Sequence, residues 1–258
     1  MKNKFLSAIV MALVAWLPLQ AHAVPMEVDL ELVLAVDVSG SVDSTEYAGQ
    51  KNGYISAFTS TDVQNAILSG THKRIAVTYV EWSGSSQQAQ LVNWTLIDSA
   101  GAASDFAAAI ESTDREFFGS TGVGAAIDFS TGLFSFNDLD SAQYVGDRKV
   151  IDISGDGPNN SGIAPATARD NAITAGVTSI NAIAIQTLSL EQYFENNVIA
   201  GPNSFATFAN NFESDFEQAI KDKLFREITG QPVPEPAMFG LLGLGLVSLV
   251  VARRRKVG

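Results

Sequence analysis

Apolar and acidic residues alternate from Met26 to Leu32, with Val28, Leu30 and Leu32 set against Glu27, Asp29 and Glu31. Val33 to Val36 is then apolar without a break. The pattern predicts one strand that starts half-exposed and ends buried on both faces, as a central strand of an α/β sheet does. Asp43-x-x-Glu46 reads as a capping box opening a helix over Ser44–Phe58. A strand follows over Arg74–Trp82, and the polar turn Ser83–Gln88 leads directly into another over Ala89–Leu96. So short a connection implies a hairpin and an antiparallel edge strand. Helices are predicted over Ser99–Glu111 and Ala125–Leu133, then a strand over Lys149–Ser154, a helix over Ala164–Ala175 and a strand over Thr178–Ile185. A helix over Leu190–Val198 and an edge strand over Ser204–Phe208 come next. Phe212, Phe216, Ile220, Leu224 and Ile228 recur at helical spacing and predict a closing helix with one apolar stripe.

Strands alternating with helices predict a doubly wound, Rossmann-like, mostly parallel α/β sheet with one antiparallel edge strand and helices on both faces. In such sheets ligands bind outside the carboxyl ends of the strands. Three polar loops fall at that edge: after Val36, before Ala125 and after Ser154.

The two ends of the chain read differently. Lys2 and Lys4, an apolar stretch from Phe5 to Leu17 and the triplet Ala21-His22-Ala23 form a secretory signal over residues 1–23, with cleavage after Ala23. Residues 24–228 are the expected domain, and 229–236 a linker containing Pro234-Glu235-Pro236. Residues 237–252 are apolar or small, a little short of the roughly 20 needed to cross a bilayer untilted. Residues 253–258 carry Arg253, Arg254, Arg255 and Lys256, which should stay cytoplasmic. The triplet, apolar segment and basic cluster, in that order, resemble the PEP-CTERM sorting signal. The resemblance implies a precursor held transiently in the inner membrane of a Gram-negative bacterium. An exosortase would process it there, and the product would pass to the cell surface or extracellular matrix. A plain C-terminal membrane anchor is the alternative.

Composition narrows the chemistry. The 258-residue chain is 46% hydrophobic and 17% charged, as a folded globular protein is. Without both sorting segments, 10 basic and 28 acidic residues remain, a net charge of −18. Such a domain does not favour nucleic acid or anionic membrane, and it attracts divalent cations. No cysteine is present, which excludes disulfides, thiolate zinc sites and cysteine nucleophiles. His72, the one histidine outside the signal, sits in the polar stretch Ser69–Lys73 and reads as a solvated loop residue.

The loop after Val36 is Asp37-Val38-Ser39-Gly40-Ser41. Asp37, Ser39 and Ser41 alternate, so a tight turn can aim one carboxylate and two hydroxyls at one point. Oxygen-only donors suit a hard cation, Mg²⁺, Mn²⁺ or Ca²⁺. Gly119-x-Thr121-x-x-Gly124 adds a hydroxyl at a helix start, and Asp156-Gly157 follows an apolar strand. Singly, each is also a turn or cap residue.

Together, in this order, these segments resemble the von Willebrand factor A domain and its metal-ion-dependent adhesion site over about residues 27–228. The resemblance implies that Ser39, Ser41 and Thr121 coordinate the cation directly, while Asp37 and Asp156 act mostly through bound waters. An open position would accept a carboxylate from a partner, a protein Asp or Glu or, less readily, an acidic exopolysaccharide. Mg²⁺ is the expected cation. Glu81-Trp82-Ser83, the polar run Arg148 to Asn160 and the Lys223–Ile228 ending further resemble a bacterial secreted branch of these domains whose role is undefined. Trp82, Gly157, Asn159 and Asn160 are candidates for the partner-binding rim. The expected function is adhesion without bond chemistry, so no catalytic residue is named. The alternatives are a metal-dependent hydrolase on the same fold and a matrix protein whose cation only stabilises it.

Overall fold

The computed structural model describes residues 25–136, 144–212 and 214–231. Ala23, Pro234, Glu235, Pro236 and Arg253 to Arg255 lie outside them. Six strands form the main sheet: β2 (Glu31–Asp37), β3 (Ile75–Trp82), β4 (Gln88–Ile97), β6 (Lys149–Gly155), β7 (Ser179–Ile185) and β8 (Ala206–Ala209). Their order is β4-β3-β2-β6-β7-β8. Only β4 runs antiparallel, paired with β3 at one edge. The expected doubly wound α/β architecture is therefore the one observed.

β2 lies at the centre because both its faces are apolar. Leu32, Leu34 and Val36 pack in one core beneath α1 (Ser44–Thr59), α2 (Thr61–Leu68), α3 (Ala100–Glu111) and α7 (Ser214–Thr229). Val33 and Ala35 face the other core, beneath α4 (Val123–Phe136), α5 (Pro165–Thr174) and α6 (Leu188–Asn197). Burying each large aliphatic or aromatic side chain contributes about 1.5–3 kcal/mol, so neither face can turn outward cheaply. The two layers hold the carboxyl ends of β2, β3 and β6 in register, with Val36 opposite both Glu81 and Ser154.

Several details depart from the sequence expectations. The run from Met26 to Val36 is two strands. β1 (Met26–Val28) pairs with β5 (Tyr144–Gly146) in a small separate sheet. The chain breaks at Asp29, whose carboxylate accepts hydrogen bonds from the backbone of His72 and Arg74. Glu31, expected on a solvated face, is fully buried and accepts from the Gly146 amide at 2.6 Å. α2 had not been anticipated: Ser60 ends α1 and its hydroxyl also caps α2 by accepting from Val63. Phe212 is buried but precedes the closing helix, whose stripe is Phe216, Ile220, Leu224 and Ile228.

The polar approach along β6 has a structural partner on α7. Lys223, with its side chain fully buried, reaches Asp152 at 2.5 Å and Glu227 at 2.6 Å. Asn181 on β7 donates to the same Glu227 oxygen at 2.9 Å. Arg148 caps the end of α7 by donating to the Glu227 and Ile228 carbonyls, both at 2.6 Å.

Candidate metal centre

β2 ends with Asp37 fully buried, because the Val38 amide donates to the Trp82 carbonyl and draws the chain inward at 2.8 Å. Asp37 Oδ1 accepts from the Ser39 amide at 2.7 Å, which folds the loop tightly. The Ser39 and Ser41 hydroxyls then stand 3.2 Å apart. Ser41 Oγ donates to Asp156 Oδ1 at 2.7 Å, linking the loop after β2 to the loop after β6. Thr121 Oγ1 lies 3.5 Å from Ser39 Oγ. The five oxygen-bearing residues singled out in the sequence thus meet at one point on the carboxyl edge of the sheet.

The loop bearing Thr121 is held by its neighbours. The Thr121 amide donates to Asn160 Oδ1 at 2.9 Å, and the Gly124 amide to Asn159 Oδ1 at 3.2 Å. Ser83 accepts from Gly119 on its hydroxyl and from Gly122 on its carbonyl, each at 2.7 Å. A Cβ on Gly124 would stand 2.2 Å from the Ile163 carbonyl oxygen, so only glycine admits this approach. Asn159 and Asn160, expected at a rim, also brace the loop that carries Thr121. Trp82 is fully buried in the core beneath α4 and does not reach the surface. Gly157 stays beside the site, its Cβ position 3.7 Å from Thr121 Oγ1.

Two supporting residues carried no signal in the sequence. Gln50, buried on α1, donates to the Asp37 carbonyl at 2.9 Å and lies 3.3 Å from the Ser154 hydroxyl. Arg115 donates to the Val38 and Ser39 carbonyls, both at 2.9 Å. Its guanidinium stacks on Phe118 at 3.9 Å and faces Tyr47, which donates to buried Glu81 at 2.8 Å. Asp43 makes the capping box the sequence announced and stays with α1.

Electrostatics favour a cation. Burial pushes the Asp37 carboxyl up to about 7, and the nearby Asp156 charge pushes the same way. Burial also raises Asp156, against the Ser41 hydrogen bond that lowers it. Asp37 Oδ2 is buried with no hydrogen-bond partner. A buried charged oxygen left unpaired is costly, and a divalent ion held by the adjacent oxygens would relieve it. The donor set, two carboxylates and three hydroxyls, fits a hard cation. Phe118 is 69% exposed and adjoins Gly40; Leu188 is 65% exposed, and its neighbour Thr187 lines a pocket with Asp156, Pro158, Leu190 and Tyr193.

Strand order, direction and the three loops at the carboxyl edge define a von Willebrand factor A type domain. The chain belongs to the family described as "Protein of unknown function (DUF1194)", whose model matches residues 27–232. Residues 232–256 match the PEP-CTERM protein-sorting motif. No curated protein matches the chain. Among solved structures, proximal thread matrix protein 1 from the mussel byssus is 18% identical with a TM-score of 0.57, over 80% of this chain and 49% of that one. A form of that protein with a zinc-occupied MIDAS motif is 16% identical with a TM-score of 0.54, over 78% and 46%. The pilus adhesin SpaC from Lactobacillus rhamnosus GG, in its open conformation, is 16% identical with a TM-score of 0.56, over 78% and 30%. The chain thus spans about half the length of the mussel protein and under a third of the adhesin.

Proposed function

We propose that this protein is an exported, divalent-cation-dependent binding module that engages a partner carboxylate and makes or breaks no covalent bond. The observation that carries the reading is the convergence of Asp37, Ser39, Ser41, Thr121 and Asp156 around a buried carboxylate oxygen that has no partner. Ser39, Ser41 and Thr121 would hold the cation through their hydroxyls. Asp37 and Asp156 would balance its charge and orient the serines, mostly through water. With few anionic ligands bound directly, the cation keeps its attraction for an incoming carboxylate. Mg²⁺ is the proposed native ion, with Mn²⁺ and Ca²⁺ as substitutes. The neighbour with zinc in its MIDAS motif supports a metal at this position of the fold. A partner protein presenting Asp or Glu is favoured over an acidic exopolysaccharide, because exposed Phe118 and Leu188 offer apolar contacts on the same edge.

The sorting motif supports export, exosortase processing and delivery to the surface or matrix. Residues 237–252 would serve as the transient anchor. Mass spectrometry of the mature protein that finds the Arg253–Lys256 tail intact would refute processing. For the site, calorimetry should detect Mg²⁺ binding that Asp37→Ala abolishes. Capture of surface proteins should require the cation, be reversed by EDTA and be lost in the same variant. Equal capture by wild type and Asp37→Ala would overturn the bridging mechanism.

A second reading is a matrix module whose cation serves stability. The mussel neighbour, a thread matrix protein by name, favours it. It predicts Mg²⁺ binding and a raised melting temperature without cation-dependent capture.

A further inference from the structure

The sheet carries a second cluster of metal-ligating side chains at its other edge, before the strands begin. Asp29 sits in the break between β1 and β2. His72 lies in the turn before β3, and Asp147 in the turn between β5 and β6. One ligand atom from each of the three lies within 4.8 Å of the others. Glu27 stands on the other side of the imidazole, facing Nδ1 while Asp147 faces Nε2. His72 is only 21% exposed at its side chain, unlike the solvated residue its sequence context suggests.

The distances matter. His72 Nε2 is 3.6 Å from Asp147 Oδ2, and Nδ1 is 3.8 Å from Glu27 Oε2. Both are too long for hydrogen bonds. Two ligands of one tetrahedral zinc ion, with bonds of about 2.0–2.1 Å, stand about 3.4 Å apart. His72 Nε2 and Asp147 Oδ2 are therefore spaced as ligands of a shared ion more nearly than as direct partners.

The carboxylates have no lysine or arginine in direct contact, although the charge of Arg148 reaches Asp29 and Asp147. Among the described residues none of Glu27, Asp29 and Asp147 forms a salt bridge with a lysine or arginine. The guanidinium of nearby Arg148 is engaged with carbonyls of α7, and Arg74 Nε donates to the Glu27 carbonyl. Asp29 is fixed in place: Oδ1 accepts from the His72 amide at 2.9 Å and Oδ2 from the Arg74 amide at 3.3 Å. Lys73, at φ 57, turns the backbone so that both amides reach it. Each Asp29 oxygen retains a lone pair for a further bond.

We infer that Asp29, His72 and Asp147 bind a divalent transition-metal ion of the zinc class. One imidazole nitrogen with carboxylate oxygens selects such an ion over Mg²⁺ or Ca²⁺, which prefer oxygen alone. The ion would cross-link the break between β1 and β2, the turn before β3 and the β5–β6 turn, pinning the small sheet to the large one. It is a structural site at the edge opposite the adhesion-type loop, and it does not depend on the reading of that loop.

The test uses the full chain carrying Asp37→Ala, so that zinc cannot report on the loop. Equilibrium dialysis against ZnCl₂ should find one ion per chain, and zinc should raise the melting temperature. Adding His72→Gln or Asp147→Asn should weaken binding at least tenfold and remove the thermal shift. Melting in EDTA serves as the folding control and should be nearly unchanged in both. A histidine imidazole resonance, absent from the His72→Gln variant, should move saturably with zinc at one equivalent. The inference is overturned if the Asp37→Ala chain binds no zinc, if His72→Gln binds it as tightly, or if that resonance stays in place.

Discussion

At the scale of single residues, the proposed cation site implies a trade of stability for cation affinity. Asp37 holds a carboxylate in a fully buried position with one oxygen unpartnered. Asp37→Asn keeps an acceptor for the Ser39 amide and removes the buried charge. In EDTA at pH 8 it should therefore melt higher than wild type, by about 1–3 kcal/mol in stability. With millimolar Mg²⁺ the order should reverse, because only wild type gains binding free energy. Differential scanning calorimetry under both conditions checks the crossover. Asn160 makes a different prediction, since it holds Thr121 through the backbone amide. Asn160→Ala should weaken Mg²⁺ binding on the order of tenfold, as loss of a group that orients a ligand commonly does. Its fold should survive, because Asn160 is exposed. Titration calorimetry with a circular dichroism control separates these effects. The candidate donors Asp37, Ser39 and Ser41 stood out in the sequence because oxygen-bearing residues alternate after a buried strand. Asn159, Asn160, Gln50 and Arg115 did not stand out as braces. Each acts on a backbone group far away in sequence, and no local pattern announces a contact such as Arg115 to the Val38 carbonyl.

At the scale of elements, α7 is fixed to the sheet by a buried polar cluster as well as by its apolar stripe. Lys223 is the cation between Asp152 on β6 and Glu227 on α7 itself. Lys223→Met would leave two buried carboxylates facing each other, a change that costs about 3–5 kcal/mol. Urea unfolding at pH 7 measures it. The cluster also sets a pH dependence. Burial, then the charge of Asp152, pushes the Glu227 carboxyl up to about 7 from 4.5, while Lys223 and Asn181 act in the opposite direction. Arg148 lies close enough to feel the same charge. The folded chain thus holds the Glu227 proton more tightly than the unfolded chain. Its contribution to stability is full below pH 4.5 and is lost as pH rises towards 7. The stability of wild type relative to Glu227→Gln should fall across that window, and a flat difference would contradict the assignment. The central strands were readable as short unbroken apolar runs, and the closing helix by its stripe at helical spacing. The split between β1 and β2 was not readable, because it is imposed by Asp29 bonding to residues 72 and 74. α2 was missed because Ser60 is both an end and a start, leaving no loop to mark the boundary.

For the whole molecule, the candidate cation edge and the closing helix are tied to different parts of the sheet. The cation loops hang from the carboxyl ends of β2 and β6, whereas the buried lysine cluster and the Arg148 cap sit towards the opposite end of α7. Tilting or sliding α7 by one turn would part Lys223 from Asp152 and strip its final carbonyls of Arg148, two changes with no compensating contact in view. Cation binding at Asp37, Ser39 and Ser41, as proposed, would act on side chains whose backbone is already held by Gln50 and Arg115. The edge should therefore stiffen locally while α7 stays in place. Hydrogen exchange with and without Mg²⁺ tests this directly. Protection should increase over residues 38–42, 119–124 and 155–160, and remain unchanged over Phe216–Ile228. In Lys223→Met the restraint on α7 is gone, and the same titration should then alter exchange in α7 as well. Protection changes in α7 of the wild-type protein on adding Mg²⁺ would show that the buried cluster yields, and that this domain transmits cation binding through its closing helix.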